Sequence, residues 1–209
     1  MKTCDLDYEL PSELIATRPA EPRESAKLLV FDAKTESIQH ARMKDLPTFL
    51  HVEDLIVRND TSVLAARLVG KRSETESGRG GGRVEGLFLG IHEGSWQVML
   101  SASGRLHVGD VIHLGENDRC QLTLREQHGK TWLASASSHE EVVNLLEEIG
   151  RTPLPPYILK ARRQRGEVID DEADRQWYAT TYARSDRAGS VAAPTAELHF
   201  SQALLETMR

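Results

Sequence analysis

A train of short extended-type segments in the middle of the chain constrains the fold more than any other feature. Val84–Ile91, Trp96–Leu100, Val111–Leu114, Gln121–Arg125 and Thr131–Ala136 follow one another at close pitch. They are parted by the turn clusters His92-Glu93-Gly94-Ser95, Gly104-Arg105, Gly115-Glu116-Asn117-Asp118 and His128-Gly129-Lys130. Several short strands with turn signals at such spacing predict a small all-β barrel or sandwich. The flanks have a different texture, mixing helical and extended segments. The fold expected is therefore α/β: a layered α/β domain at 1–70 and 150–209, interrupted by an inserted small β-barrel domain at 71–149. The glycine run Gly78-Arg79-Gly80-Gly81-Gly82-Arg83 lacks the Lys-Ser/Thr of a phosphate-binding loop and reads as a flexible hinge into the barrel.

In the first flank the pattern predicts a short helix after Leu10-Pro11, through Ser12–Ala16. A buried strand Leu28–Phe31 paired with Ser37–Arg42 follows, then one or two helical turns over Asp45–Leu50. An apolar strand Leu55–Arg58 ends at Asn59-Asp60-Thr61, and Val63–Val69 continues extended. In the second flank Ser138 and Glu141 form a capping-box pattern for a helix ending near Ile149, before Gly150. Two prolines predict an extended path through Leu154–Ile158. Asp171–Tyr182 reads as a helix with acids in its first turn, and Ser201 as the cap of a final helix.

Composition limits the function classes. With 39% apolar residues and 15 glycines the chain can bury a core, and no apolar run approaches the length of a membrane span. The acids in M-K-T-C-D-L-D-Y-E-L do not suit an export signal, and Cys4 and Cys120 form no C-x-x-C pair, so a reduced cytoplasmic protein without a membrane partner is expected. His107 and His113 have no Cys or carboxylate at ligand spacing, and no metal is expected. A net charge of −6 argues against a generic nucleic-acid binder. Yet 151–165 holds Arg151, Lys160, Arg162, Arg163 and Arg165 with no acid, and phosphates answer to local positive density. A solvated basic loop is the plainer account of the same run.

Two further stretches carry candidate chemistry. Asn59-Asp60-Thr61 offers a donor–acceptor amide, a carboxylate and a hydroxyl at a strand end, where α/β folds place ligand groups; an Asx-type turn is the structural alternative. Ser190–Phe200 presents Thr195 and His199 on a Pro-stiffened backbone of small residues, although a lone histidine is commonly a satisfied core residue.

Four segments in order carry a resemblance: L-D-Y-E-L-P-S-E-L-I-A at Leu6–Ala16, N-D-T-S-V-L-A-A-R-L at Asn59–Leu68, P-L-P-P-Y-I at Pro153–Ile158 and V-A-A-P-T-A-E-L-H-F at Val191–Phe200. Together they resemble the S-adenosylmethionine:tRNA ribosyltransferase-isomerase family. The family pattern has Gly at Glu197 and Pro at Ala65, and it continues into a T-L-H-V-G-x-G-T-F-x-P-V segment that the 209 residues do not include. The resemblance implies an α/β domain interrupted by a β-barrel. It also implies transfer of the ribosyl part of S-adenosylmethionine, a substrate rather than a resident cofactor, to 7-aminomethyl-7-deazaguanine at the tRNA wobble position, giving epoxyqueuosine with release of adenine and methionine. Such a reaction needs a base at the acidified ribose carbon and a group to protonate departing adenine. Asp60 or His199 is the candidate for proton transfer. Asn59, Thr61, Arg67 and Thr195 are candidates for positioning cofactor or phosphate, and Lys160, Arg162, Arg163 and Arg165 for the phosphates of tRNA carrying the queuosine precursor. The alternatives are a non-catalytic module that binds tRNA or a partner, and one half of a split enzyme complemented by a separate C-terminal half.

Overall fold

The computed structural model describes residues 2–74 and 81–209, with backbone alone at 184–188, so the Gly78–Gly80 part of the expected hinge lies outside the described residues. In chain order the strands are β1 (Lys27–Asp32), β2 (Ser37–Arg42), β3 (Thr61–Val63), β4 (Arg67–Arg72), β5 (Arg83–His92), β6 (Ser95–Ala102), β7 (Val111–Leu114), β8 (Cys120–His128), β9 (Thr131–Ala136) and β10 (Arg184–Ser190). The α-helices are α1 (Val142–Ile149), α2 (Pro156–Arg165), α3 (Asp171–Tyr178) and α4 (Gln202–Thr207), with short 3-10 turns between. The chain divides into two compact units. The first comprises Met1–Ile56, Leu154–Asp170 and Ala196–Arg209, and the second Val57–Pro153 and Asp171–Thr195.

The second unit holds the expected barrel. Six antiparallel strands close in the order β4-β5-β6-β9-β8-β7, β7 pairing back onto β4 through Gly70↔Leu114 and Arg72↔Ile112. Alternate residues point inward, so Leu68, Val84, Phe88, Trp96, Val98, Ile112, Leu114, Leu122, Leu124 and Trp132 form one buried cluster. Phe88 and Trp96 meet edge to face at 4.9 Å. Leu145, Leu146 and Ile149 of α1 join the same cluster. The barrel begins at Arg67 rather than at 71, and the same unit also takes in α3 and β10. The α1 capping box does not form: the helix starts after Glu141, and Ser138 Oγ accepts instead from the Glu140 N–H at 3.3 Å.

The first unit contains the β1–β2 hairpin, α2 and α4. Its register, Leu29↔His40 and Phe31↔Ile38, confirms the expected pairing. The strand is not buried as expected, since Leu29 and Phe31 are 58% and 57% exposed. Leu10–Ala16 yields only a 3-10 turn at Ser12–Leu14 with no buried residue, because so short a helix needs packing to persist. Leu55–Arg58 forms no strand; it has no sheet partner among the described residues, and Leu55 and Val57 are 88% and 82% exposed. The path through Leu154–Ile158 is corrected as well. Pro155 is extended at φ −55°, ψ 139°, but Pro156 opens α2, where its missing N–H costs nothing and its φ suits the first turn. Ser201 caps α4 as expected, its hydroxyl accepting from the Leu204 N–H at 3.1 Å. Among the described residues no helix is long and apolar enough to cross a membrane.

Candidate active site

In the second unit β3 and β10 run parallel, Arg184 opposite Thr61, Ala188 opposite Ser62 and Ser190 opposite Val63. The Leu64 N–H extends the pairing by donating to the Ser190 carbonyl at 2.8 Å. A cavity of about 200 Å³ lies in this unit, lined by Ser62, Val63, Leu64 and Ala65, by Thr152 and Pro153, and by Tyr178 at the end of α3. It thus joins residues of the Asn59–Leu68 and Pro153–Ile158 segments. Thr152 is 4% exposed, and its Oγ1 has no hydrogen-bond partner among the described residues. A buried hydroxyl in that state keeps an unmet donor and acceptor for whatever enters.

Glu147 and Arg175 complete the lining, and Arg175 is fully engaged. Its Nε donates to Asp171 Oδ2 at 2.9 Å and its Nη1 to the Glu147 carboxylate. Its Nη2 donates to the carbonyls of Glu147 and Gly150 at 3.1 and 3.0 Å. Asp171 also accepts the Thr152 N–H at 2.8 Å. Arg175 therefore ties the end of α1 to the start of α3, and two carboxylates neutralise it. A largely apolar wall with one unmet hydroxyl suits a flat, neutral heterocycle better than a phosphate. Sequence reasoning missed Thr152, Glu147, Arg175 and Tyr178. The available signal was the Asp171–Arg175 spacing of four on one helix face.

The residues singled out from sequence fall on several elements of both units. Asn59 Oδ1 accepts from both the N–H and the hydroxyl of Thr61, at 2.9 and 2.6 Å, which is an Asx turn launching β3. The three polar residues thus precede or begin a strand, whereas a strand end had been expected, and the reason is that Leu55–Arg58 has no strand partner among the described residues. Arg67 lies on β4 with its side chain 11% exposed, bonded to Glu85 Oε2 at 3.0 Å. Thr195 is exposed at the start of the Thr195–His199 turn. Asp60 belongs to the second unit and His199 to the first.

His199 is half-buried, with Nδ1 sequestered and lacking a hydrogen-bond partner among the described residues. Burial first, and then the Arg23 charge, push its pKa below the usual histidine value, so the imidazole is neutral at pH 7. Arg23 is fixed by donating to the Leu198 carbonyl at 3.1 Å, and its own pKa is lowered by burial. A neutral imidazole beside a cation can accept a proton but holds it weakly. Arg23 was not singled out from sequence; it stands in the charged, Pro-flanked run Glu21-Pro22-Arg23-Glu24.

On α2, Lys160 and Arg163 are exposed. Arg165 donates to the carbonyls of Ser12 and Ile15, both at 2.9 Å. Arg162 requires a correction: it is 3% exposed and donates to the Thr17 carbonyl, which withdraws it from any phosphate contact. Among the described residues no three His, Cys, Asp or Glu side chains converge as metal ligands would.

A family model described as queuosine biosynthesis protein matches residues 3–209. The chain belongs to that family. It is 42% identical to the S-adenosylmethionine:tRNA ribosyltransferase-isomerase of Rubrobacter xylanophilus, over 98% of this chain and 55% of the relative. It is 40% identical to the protein of that name from Thermosipho africanus, over 100% of this chain and 56% of the relative. The chain spans about half the length of the curated relatives it matches. A solved S-adenosylmethionine tRNA ribosyltransferase from Thermotoga maritima is 24% identical over 77% of this chain and 54% of that one, with a TM-score of 0.31.

Proposed function

We propose that this queuosine-family chain serves an S-adenosylmethionine:tRNA ribosyltransferase-isomerase. The reaction moves the ribosyl moiety of S-adenosylmethionine onto 7-aminomethyl-7-deazaguanine at the tRNA wobble position, forming epoxyqueuosine and releasing adenine and methionine. The observation that carries this reading is the 42% identity, across 98% of the chain, to a protein of that name.

The division of labour follows from the side chains. The cavity at Ser62–Ala65 and Thr152 is sized for one heterocycle and takes the adenine end of S-adenosylmethionine, the Thr152 hydroxyl bonding its polar edge. The proton of the ribose carbon made acidic by the sulfonium goes to Asp60, which belongs to the same unit as the cavity, or to His199, a neutral imidazole of the first unit. Asn59, Thr61 and Thr195 orient the donor within the unit that holds the cavity, while Arg67 holds the barrel wall through Glu85. Lys160 and Arg163 meet tRNA phosphates from the exposed face of α2.

The test is chromatographic detection of adenine after incubating the chain with S-adenosylmethionine and precursor tRNA. It is run with and without a polypeptide covering the part of the Rubrobacter xylanophilus relative beyond the match. Adenine in either tube supports the reading, and adenine only with the added part makes the enzyme a split one. No adenine in both, while the intact relative releases it, overturns the reading for this chain in favour of a tRNA- or partner-binding module.

A further inference from the structure

Ser73 lies one residue past the end of β4 and 40 positions before His113 of β7, and closure of the barrel brings the two together. β7 pairs back onto β4 with Lys71 opposite His113, and the Ser73 N–H donates to the Val111 carbonyl at 2.8 Å. Residues two apart share a sheet face, so Lys71, Ser73 and His113 share the outer face while Ile112 and Leu114 fill the core. There Ser73 Oγ lies 2.5 Å from His113 Nε2. The other ring nitrogen, Nδ1, is buried and 3.2 Å from Asp118 Oδ1, within ion-pair reach though not aligned as a hydrogen bond. Asp118 is brought there by the β7–β8 turn, in which Asn117 and Asp118 take left-handed φ of 53° and 57°. Asn and Asp tolerate that conformation better than other side chains do.

The order of the three groups fixes their roles. A carboxylate facing Nδ1 favours the proton on that nitrogen, which leaves the Nε2 lone pair toward the Ser73 hydroxyl. A hydroxyl bonded to a base that a third group orients is the arrangement of an activated nucleophile, and such contacts are often loose before substrate binds. Ser73 and His113 are half-buried and the Asp118 side chain is 59% exposed, so the group stays open to solvent. Lys71, across from His113, adds positive charge on the face where an oxyanion would develop.

We propose that Ser73, His113 and Asp118 form a second reactive site, on the barrel, at which Ser73 takes the acyl group of small activated esters. Ser73 Oγ bonds to the ester carbonyl carbon, and its proton passes to His113 Nε2. The carbon–oxygen bond to the alcohol then breaks, and the alcohol leaves with that proton. Water repeats the sequence on the acyl-serine, giving the free acid and restoring Ser73. Asp118 touches no substrate; it is a positioning residue that holds the ring and balances the imidazolium. None of the three lines the Ser62–Ala65 cavity, and the chemistry uses neither S-adenosylmethionine nor tRNA, so the proposal is independent of the transferase reading.

The 209-residue chain is incubated with p-nitrophenyl acetate. Release of p-nitrophenol is followed by colour, and the acetyl group is located by peptide mass spectrometry after an acid quench. Acetyl on Ser73 is expected. Ser73→Ala should remove it, and His113→Gln should slow release at least about a hundredfold. Asp118→Asn, which keeps a residue suited to the left-handed turn, should lower kcat at least about tenfold with KM unchanged. An aspartate with a merely structural role would not split the two in that way. An acetyl map without Ser73 in it, or release by Ser73→Ala equal to the parent's, overturns the proposal and leaves the Ser73–His113 contact as a cross-strand bond closing β4 onto β7. Should a variant unfold, the position of the acetyl group in the parent chain decides alone.

Discussion

Arg162 donates from Nε and Nη2 to one acceptor, the carbonyl oxygen of Thr17, at 3.0 and 2.8 Å, from a position 3% exposed. The pair locks α2 onto the N-terminal segment of the first unit. Removing the guanidinium leaves a buried carbonyl without those bonds, and unmet buried polar groups are costly. Arg162→Ala is expected to lower unfolding stability by about 2 kcal/mol, read as a drop in urea midpoint. The salt slope of tRNA binding should stay as in the parent.

Lys160 and Arg163 lie on the same helix with the opposite expectation. Both are exposed, so neither contributes much to stability. If they meet tRNA phosphates, changing both to Ala lowers the slope of log affinity against log salt by about 1.5 to 2, with the thermal midpoint unmoved. An unchanged slope returns Arg163 to the last turn of α2, where a cation interacts favourably with the helix dipole, and Lys160 to a solvated side chain.

This contrast within one helix shows what the sequence could and could not tell. The barrel was legible because its strands alternate and its turns are punctuated locally; Val111–Leu114 and Thr131–Ala136 form with the predicted bounds. The flanks were less legible because their order depends on distant partners. Leu55–Arg58 reads as a strand, but strands need neighbours, and none is described for it. Pro155-Pro156 was read as extended throughout, and that reading failed at Pro156 because proline blocks a helix interior yet suits a helix start. Arg162 and Arg163 are adjacent and chemically alike, and only the helical rotation of the fold buries one and exposes the other. The cavity was hidden because Thr152, Glu147 and Arg175 come together through tertiary contact, with no shared spacing.

The His199 environment sets a pH dependence. Its folded pKa lies below the unfolded value of 6.5, through burial and then the Arg23 charge. The unfolded chain therefore binds the proton more readily. The contribution to stability is present above pH 6.5 and is lost as the pH falls through the lowered folded value. Urea midpoints between pH 5 and 8 should fall less steeply toward acid in His199→Gln than in the parent. Arg23→Met should raise the histidine pKa, visible as an upward shift of the imidazole titration by NMR. Identical titration curves in parent and Arg23→Met would remove Arg23 from the account.

Thr152→Val tests the unmet hydroxyl. Valine keeps the shape and deletes the polar atom, so folding stability should be equal or higher by up to about 1 kcal/mol. Combined with the remaining polypeptide of a relative, the variant should raise the KM for S-adenosylmethionine several-fold. An unchanged KM together with raised stability would make the hydroxyl a mere packing defect.

Gly150 caps the C-terminus of α1 against the backbone of Ala65, a residue of the cavity lining. A Cβ built there would lie 1.8 Å from the Ala65 carbonyl oxygen and 2.6 Å from that of Leu146, both backbone atoms with little room to yield. Its φ of −87° is open to any residue, so the constraint is space alone. The flanking bonds resist relief: Arg151 and Arg67 exchange backbone hydrogen bonds at 2.8 and 3.0 Å, and Arg175 holds the Gly150 carbonyl. Gly150→Ala must therefore push the end of α1 away from Leu64–Ala66, at a cost of about 1 to 3 kcal/mol. Gly104 is the control, since a Cβ there would meet only the Arg72 side chain at 3.7 Å, and Gly104→Ala should move the urea midpoint little. Because Ala65 lines the cavity, Gly150→Ala should also weaken binding of adenine to the isolated chain, measured by calorimetry, while Gly104→Ala leaves it intact. Equal adenine affinity in both variants, with only Gly150→Ala destabilised, would detach the Ala65 wall from the ligand.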